Sequence, residues 1–234
     1  MVTGATMAPM AALITDTWLV IPLYDEAAVI GDVVREARTR FAHVVCVDDG
    51  STDGSGDAAA AAGARVLTHA VNLGQGAALQ TGIDYALSQP GMRYLITFDA
   101  DGQHQLSDAL AMLDLARRED LAIVFGSRFL DDRTQAGWFK RVVLRFAAWF
   151  TSKSTGLRLT DAHNGLRLMR RDAAAGVRLR QDGMAHASEI VLHLARTKLA
   201  WAEYPVHVLY TDYSRSKGQS LLNSVNILVD LVLK

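Results

Sequence analysis

Between residues 18 and 125, short apolar runs typical of strands alternate with stretches that have the apolar spacing of amphipathic helices. The predicted strands are Trp18–Pro22, His43–Val47, Arg65–Thr68, Tyr94–Phe98 and Leu121–Phe125. The predicted helices between them are Glu26–Arg40, Asp53–Ala62, Gln75–Leu87 and Ser107–Arg118. This alternation predicts an α/β fold with a mostly parallel sheet and helices on both of its faces.

Composition narrows the class of protein. Half of the 234 residues are hydrophobic, and 24 Lys and Arg balance 25 Asp and Glu to a net charge of −1, so no global field favours nucleic acid. Cys46 is the single cysteine and lies in an apolar run, which predicts a buried thiol and a reducing compartment. No apolar run approaches the ~20 residues that span a bilayer. Residues 1–17 lack the basic segment of a signal peptide and are predicted to form a flexible tail.

After residue 130 the pattern becomes less regular. Further helices are predicted at Trp138–Lys153, Ala187–Thr197 and Leu221–Leu233. A short strand is predicted at Gly165–Arg170, and Trp201–Tyr210 is predicted to be extended. These segments indicate an elaboration that follows the α/β core.

Two carboxylates follow the predicted strand Tyr94–Phe98. Asp99 and Asp101 are two residues apart, and Gly102 after them permits a tight turn. Acids at the end of a buried strand are costly unless something positive lies between them, and hard divalent cations prefer oxygen ligands. The pattern is typical either of solvated turn carboxylates or of a cation that holds the phosphates of a nucleotide diphosphate.

Other polar motifs also fall at the carboxyl ends of predicted strands. They are Tyr24-Asp25-Glu26, Asp48-Asp49-Gly50-Ser51 and Gly126-Ser127-Arg128. Ligands of open α/β sheets bind beyond the carboxyl ends of the strands. The coincidence therefore favours a ligand site over isolated turn acids.

Taken in order, these motifs resemble those of the family 2 glycosyltransferases, which have the GT-A fold. The resemblance covers roughly residues 18–218 and also includes Asn72-Leu73-Gly74-Gln75-Gly76-Ala77-Ala78 and Asp99-Ala100-Asp101-Gly102-Gln103-His104. Within the family the chain looks most like the branch of dolichyl-phosphate mannosyltransferases and bacterial polyprenyl-phosphate glycosyltransferases. It departs at Asp25, where the family more often has Asn; Asp makes a similar turn but adds a charge near the nucleotide pocket.

The resemblance implies a nucleotide-sugar site. Its predicted contacts are Pro22, Tyr24, Glu26, Asp48, Asp49, Asn72, Gly76, Asp99, Ala100, Arg128 and Lys217. Asp48 and Asp49 can accept hydrogen bonds from a base and a ribose, or cap the helix that follows Ser51. The glycine-rich turn at residues 72–76 leads into a helix N-terminus, whose free N–H groups suit an anion. Arg128 either pairs with a phosphate or sugar hydroxyl or forms a surface salt bridge.

The resemblance also implies a divalent metal, Mg²⁺ or Mn²⁺, held by Asp99, Asp101 and Gln103. Asp101 and Gln103 would contact the cation directly, while Asp99 would also touch the nucleotide-sugar. The cation would neutralise the charge that builds up on the leaving nucleotide diphosphate. We expect His104 to serve the turn or the acceptor side, since the oxygen ligands already suffice.

The segment Asp161-Ala162-His163-Asn164-Gly165-Leu166-Arg167 resembles the acceptor segment of the branch, with Leu in place of the usual Phe. In the branch the Arg holds phosphates near the reacting sugar carbon, which assigns that role to Arg167. A phosphate acceptor is already ionised, whereas a sugar hydroxyl needs a general base. Asp161 and Glu189 are the candidates for such a base, and Glu189 is otherwise an exposed helix acid. With Asp101, these are the predicted catalytic residues.

Two further segments bear on partners. Tyr213–Lys217, which contains Lys217, resembles a basic loop that closes over phosphates, or is a solvated loop. At about 100° per residue, the helix at 138–153 has aromatic residues on one face and basic residues on the other, which fits either an anionic membrane interface or packing on the core. Many relatives in the branch continue into transmembrane helices after 221–233, so we expect a separate membrane-protein partner or a homo-oligomer.

We therefore expect a GT-A domain at 18–218, with a nucleotide-binding half at 18–130 and an acceptor- and membrane-facing half at 131–218, followed by an amphipathic helix at 219–234. The leading hypothesis is a metal-dependent, inverting glycosyltransferase. It would move a sugar from a nucleotide diphosphate, UDP being favoured, to a polyprenyl phosphate at the inner face of the cytoplasmic membrane. The alternatives are a family 2 enzyme that extends a saccharide in surface polysaccharide synthesis, and a non-catalytic nucleotide-sugar-binding module that recruits a membrane partner.

Overall fold

The structure, a computed structural model, describes residues 12–131, 156–181 and 185–209. The strands are β1 Ile14–Leu23, β2 Phe41–Asp48, β3 Arg65–Thr68, β4 Tyr94–Thr97, β5 Ile123–Ser127, β6 Arg167–Arg170 and β7 Trp201–Pro205. The helices are α1 Ala27–Arg38, α2 Ser55–Ala61, α3 Gln75–Ser88, α4 Leu106–Arg118, α5 Arg171–Ala174 and α6 His186–Thr197. The predicted helices at 138–153 and 221–233, and the predicted loop at 213–217, lie outside these ranges.

Within these ranges the seven strands form one sheet in the order β3-β2-β1-β4-β6-β5-β7. Neighbouring strands pair in parallel, except that β6 is antiparallel to both β4 and β5. Because β6 lies between β4 and β5 and reverses direction, β5 and β7 run the same way as β4. The carboxyl ends of the other strands and the amino end of β6 therefore share one edge of the sheet, called here the carboxyl edge.

Helices cover both faces of the sheet. Successive side chains along each strand point to opposite sides, so each strand can contribute residues to both layers. On β1, Leu19 and Ile21 belong to an apolar cluster that includes residues of α1, α2 and α4. Trp18 and Val20 belong to a second cluster that includes residues of α3, α5 and α6. The predicted α/β class, with a mostly parallel sheet between two layers of helices, is confirmed.

The first strand begins earlier than predicted. β1 begins at Ile14, so the tail predicted for residues 1–17 is too long. The N–H of Ile14 donates to the carbonyl of Arg40 at 2.8 Å, and Thr17 is fully buried opposite Tyr94. The polar residues Thr15, Asp16 and Thr17 hide this part of the strand from a search for apolar runs.

Cys46 lies in β2 and is fully buried, as expected. Burial, with a smaller contribution from Asp48, raises the pKa of its thiol to about 12. The thiolate is the reactive form of cysteine, so Cys46 is a core residue.

Candidate active site

The carboxyl edge gathers most of the predicted site residues. Those at or next to the carboxyl ends of β1, β2, β4 and β5 are Pro22, Tyr24, Glu26, Asp48, Asp49, Asp99, Ala100, Asp101 and Arg128. Arg167 is the first residue of the antiparallel β6 and pairs with Thr97 at the end of β4, so it reaches the same edge. Lys217 lies outside the described residues.

Asp99 is fixed from two sides. Nε2 of the buried His104 lies 2.8 Å from Asp99 Oδ2. On the other side is Gly165, where an added Cβ would lie 2.7 Å from Asp99 Cγ and closer still to both carboxylate oxygens. Burial would raise the pKa of Asp99, but His104 and Arg167 outweigh it and hold that pKa below its usual value. Asp99 is therefore an anion at neutral pH.

Asp101 has a different environment. Its Oδ1 accepts the backbone N–H of Gln103 at 3.0 Å. Burial, and then repulsion from Asp99, raise the pKa of Asp101 to about 6, and Glu26 adds to the repulsion. A carboxylate among other carboxylates is stabilised by a cation, so Asp101 is the acid of this pair that most needs one.

The residues around Asp101 fit a divalent cation held jointly with a ligand. Among the described residues, no cluster of three or more His, Cys, Asp or Glu side chains could hold a metal by itself. Nε2 of the buried Gln103 has no hydrogen-bond partner in the described ranges. Because this nitrogen is a donor, the oxygen of the same amide would be the atom that binds a cation, while Nε2 is left to donate to a ligand oxygen. Asp101 and Gln103 would supply part of an oxygen set that phosphate oxygens and water complete.

Asp48 and Asp49 are buried and hold the loops around them. Asp48 Oδ1 accepts the N–H of Ser51 at 2.9 Å in the turn before α2. The helix α2 begins after Gly54 without a side-chain cap, so the capping alternative is wrong. Asp49 accepts the N–H groups of Leu73 at 3.0 Å and Gly74 at 2.7 Å. Since both oxygens of Asp49 already accept protein donors, its contact with a base or ribose stays a prediction.

The turns after β1 and β2 are tied together. Asp25 has a φ of 50°, in the left-handed region that Asp and Asn tolerate, so it makes the turn expected of the Asn in the family pattern. Its N–H donates to Ser51 Oγ, and its Oδ1 accepts the N–H of Thr52, both at 3.0 Å. The N–H of Glu26 donates to Ser55 Oγ at 2.7 Å. This framework places the Glu26 side chain at the edge near Asp101.

The glycine-rich turn serves the protein's own packing. Asn72 is exposed, and its Oδ1 accepts the N–H of Gly74 at 3.0 Å in a local turn. A Cβ at Gly76 would lie 3.1 Å from the carbonyl carbon of Gln181 and closer to its oxygen. The close approach that requires glycine at position 76 is therefore to the backbone of Gln181, and the predicted contact of Gly76 with the nucleotide-sugar stays a prediction.

Asp161 forms a bidentate ion pair with Arg128. Arg128 Nε donates to Oδ2 at 2.6 Å and Nη2 donates to Oδ1 at 2.8 Å, with the Asp161 side chain 1% exposed. Burial would raise the pKa of Asp161, but Arg128 outweighs it and holds the pKa below its usual value. A carboxylate held in this way is a poor general base, which disfavours the base role predicted for Asp161. The salt-bridge alternative for Arg128 is present, in a buried rather than a surface form.

Glu203 of β7 supports this ion pair and has no local sequence signal. Its Oε1 accepts the N–H of Thr160 at 2.8 Å, the hydroxyl of Thr160 at 2.9 Å and the N–H of Asp161 at 3.3 Å. Burial raises the pKa of Glu203. Glu203 could not be identified from the sequence, because its partners precede it by more than 40 residues.

Arg167 is a buried cation at the amino end of β6, 2% exposed. Burial lowers the pKa of Arg167 to about 10, so the guanidinium stays charged at neutral pH. His163 lies beside it, with Nε2 3.3 Å from Ser188 Oγ. Burial lowers the pKa of His163 to about 4 against the opposing effect of Asp161, so this imidazole is neutral. His163 is not among the predicted site residues, although it lies within the acceptor motif.

Glu189 lies in the first turn of α6 and binds backbone. Its Oε2 accepts the N–H groups of Arg180 and Gln181, both at 2.9 Å. Oε2 therefore holds the segment that packs on Gly76, while Oε1 lies 3.7 Å from Nε2 of His193, so Glu189 is not an exposed helix acid. This contact disfavours the general-base role predicted for Glu189.

The sequence is similar to those of known proteins. The model of the family described as "Glycosyl transferase family 2" matches residues 18–177. Polyprenol monophosphomannose synthase from Mycolicibacterium smegmatis is 30% identical over 225 residues, which cover 90% of this chain and 82% of that protein. The UDP-N-acetylglucosamine–dolichyl-phosphate N-acetylglucosaminyltransferase of Methanococcus voltae is 26% identical over 238 residues, which cover 92% of this chain and 94% of that protein.

A solved structure has the same fold. Glucosyl-3-phosphoglycerate synthase from Mycobacterium tuberculosis, solved with Mn²⁺ and UDP-glucose, has a TM-score of 0.68 at 17% identity. The match covers 93% of this chain and 77% of that one. The expected GT-A fold is confirmed. In the described ranges, no helix has the length and apolarity that crossing a membrane requires.

Proposed function

Because the chain belongs to glycosyl transferase family 2, we propose that it transfers a sugar from a nucleotide diphosphate to a polyprenyl phosphate at a membrane surface, with inversion at the sugar carbon. It is a glycosyltransferase of the branch that includes the relatives named above. Family membership and the intact pair Asp99 and Asp101 disfavour a non-catalytic binding module. The finer assignments rest on the geometry of the carboxyl edge.

The choice of acceptor rests on one observation: both predicted general bases already accept hydrogen bonds from the protein. Asp161 accepts two N–H groups of the Arg128 side chain, and Glu189 accepts two backbone N–H groups. A sugar hydroxyl needs a base to remove its proton, whereas a phosphate acceptor attacks as an anion. The buried charge of Arg167 suits that anion. This arrangement favours the phosphate acceptor over the alternative that extends a saccharide.

On the donor side, we propose that Asp101 and Gln103 hold Mg²⁺ or Mn²⁺ together with the donor phosphates. When bound, the cation neutralises negative charge on the departing nucleotide diphosphate. The other predicted donor contacts stay part of this proposal: Pro22, Tyr24, Glu26, Asp48, Asp49, Asn72, Asp99, Ala100 and Arg128, together with Lys217, which lies outside the described residues. A UDP-sugar is the favoured donor, because the Methanococcus voltae relative is named for one and the solved structure contains UDP-glucose.

A polyprenyl phosphate resides in a bilayer, so the enzyme must work at a membrane surface. We propose contact with the inner face of the cytoplasmic membrane through the basic, aromatic segment 138–153, approached from the cytoplasm. A membrane-protein partner or self-association would add to this contact.

The test is transfer of labelled sugar from UDP-sugars to a polyprenyl phosphate, with Mn²⁺ or Mg²⁺ and with EDTA. Asp101→Ala is expected to abolish metal-dependent transfer. Asp114→Ala, which removes an exposed acid of α4 paired with Arg118, is the matched control and should retain activity. Unchanged transfer by Asp101→Ala would sink the metal assignment. Wild-type protein that ignores the lipid phosphate but extends a glycan would establish the saccharide alternative.

A further inference from the structure

The two acids of the Asp99-Ala100-Asp101 motif have unequal partners. Asp99 lies near His104, Arg167 and His186, all of which favour its charged form. Asp101 instead accepts the backbone N–H of Gln103 at 3.0 Å. Asp99 and Glu26 disfavour its charged form, whereas His104 favours it without a direct hydrogen bond. Two carboxylates that are two residues apart in the sequence thus have different surroundings, and Nε2 of His104 lies 2.8 Å from Asp99 Oδ2.

His104 is built into the structure as a fixed donor. Its side chain is 4% exposed, and its ring packs edge-on against Phe98 with the centroids 5.4 Å apart. A carboxylate can only accept, so Nε2 of His104 carries the hydrogen in this bond. Its Nδ1 is buried without a hydrogen-bond partner in the described ranges, so the ring makes no second hydrogen bond there.

Gly165 closes the other side of Asp99. Since an added Cβ there would overlap the carboxylate, the backbone of Gly165 lies directly against it. The N–H of His104 and the backbone of Gly165 together restrict the rotation of Asp99 about its χ angles. His104 occupies one lone pair of Oδ2 and fixes its direction, so Oδ1 is the oxygen better placed to meet a ligand.

We propose that His104 is a positioning residue that withholds Asp99 Oδ2 from the cation, so that Asp101 and Gln103 bind the metal while Asp99 keeps an orientation suited to the donor. This inference rests on the metal-dependent function proposed above. Without the N–H of His104, both oxygens of Asp99 become available to the cation. The cation then binds the free protein more tightly, but Asp99 no longer has the orientation that the donor requires.

The experiment compares His104→Phe with His104→Gln. Phe keeps the ring and its contact with Phe98 but lacks the N–H, whereas the Gln amide can donate from nearly the position of Nε2. In His104→Phe, Mn²⁺ affinity of the free protein, measured by electron paramagnetic resonance, should rise about 5-fold, the equivalent of one hydrogen bond. The KM for the donor should rise about 10-fold at saturating Mn²⁺, a loss of one oriented contact. His104→Gln should restore both values toward those of the wild type.

The control is His43→Phe, the same change at a histidine stacked on Trp18 near the opposite edge of the sheet, which should change neither value. Melting temperatures check that each variant is folded. Wild-type Mn²⁺ affinity and donor KM in His104→Phe overturn the positioning role. Weaker Mn²⁺ binding in both His104 variants also overturns it and indicates a purely structural role. Wild-type protein that binds no Mn²⁺ refutes the metal part of the proposed function first, so the two failures are distinguishable.

Discussion

The two halves of the carboxyl edge neutralise their acids in different ways. In the donor half, formed by the turns after β1 and β2, Asp25, Asp48 and Asp49 accept hydrogen bonds from backbone N–H groups, and Asp49 Oδ1 also lies 2.6 Å from Nδ1 of His69. In the acceptor half, next to β5 and β6, Asp161 pairs with the guanidinium of Arg128. Backbone donors shape loops without supplying a net charge, whereas guanidinium groups bring fixed positive charge. The first half is therefore suited to hold a nucleotide in shaped turns, and the second to attract an anionic acceptor.

The largest effect is expected where the halves meet, at Gly165 against Asp99. Gly165→Ala should displace the Asp99 carboxylate, because the added Cβ has no room. A displacement of this kind should reduce sugar transfer about 100-fold, as measured by initial rates with labelled donor. Gly31→Ala is the control, because the Cβ there meets only the flexible end of Arg35. Activity of Gly165→Ala within a few-fold of the wild type would show that the two halves are not coupled through this contact.

The next effect tests the ion pair of the acceptor half. Asp161→Asn leaves the buried guanidinium of Arg128 without its counter-charge and should lower the free energy of unfolding by about 3 kcal/mol at neutral pH. Asp16→Asn breaks an exposed pair with Arg117 and should cost less than about 1 kcal/mol. Urea denaturation of both variants gives the comparison. Equal losses of unfolding free energy in the two variants would mean that burial does not strengthen the ion pair between Asp161 and Arg128.

The same pair sets a pH dependence. The pKa of Asp161 is lower in the folded protein than in the unfolded chain. At acid pH the folded state therefore binds fewer protons than the unfolded state does. The stability due to the pair is full above about pH 4, the unfolded pKa, and is lost as the pH falls toward the folded value. The difference between wild type and Asp161→Asn should therefore shrink at acid pH in urea titrations. A difference that grows on acidification contradicts the assignment.

A smaller effect is expected in the donor half. In Asp49→Asn, one carboxylate oxygen that faces a backbone N–H becomes an NH₂ group, which leaves a buried donor unpaired at a cost of about 1–2 kcal/mol. Leu73 and Gly74 provide those N–H groups, so the turn that they form should loosen. Urea denaturation measures the cost, and the exposed Asp57→Asn serves as the control. A loss as large as that of Asp161→Asn would remove the contrast between the two halves.

The smallest effect is expected at Glu189, where a substitution tests whether this residue is a structural acid or a general base. Glu189→Gln keeps an oxygen that can accept the N–H groups of Arg180 and Gln181. We expect kcat within about 3-fold of the wild type, whereas removal of a general base costs about 100- to 10,000-fold. Steady-state kinetics with the lipid phosphate acceptor distinguish the two results. The larger loss would restore Glu189 as a base and favour a hydroxyl acceptor.

Much of the fold and the composition of the site follow from local patterns. The first five strands and the four helices between them are predicted within a few residues, because apolar periodicity reflects which faces are buried. The strand-end position of Asp48, Asp99 and Arg128 could also be predicted, since parallel strands bring their carboxyl ends together. The start of β1 at Ile14 could not, because a polar stretch there is held by its neighbours rather than by its own hydrophobicity.

The partners of the acids could not be predicted in this way. Arg128 and Asp161 are 33 residues apart, and Thr160 and Glu203 are 43 apart. No periodic pattern in the sequence predicts a contact between residues that are this far apart along the chain. The antiparallel insertion of β6 between β4 and β5 creates these contacts, and it also brings Gly165 against Asp99.

By itself the sequence determined the α/β alternation, the family and the set of polar residues at one edge, because each depends on residue type and spacing along the chain. Only the tertiary structure decided which acids are already satisfied and which still need a cation. The pKa and the availability of a carboxylate depend on the donors and charges within a few ångströms. Those neighbours come from several different strands and turns.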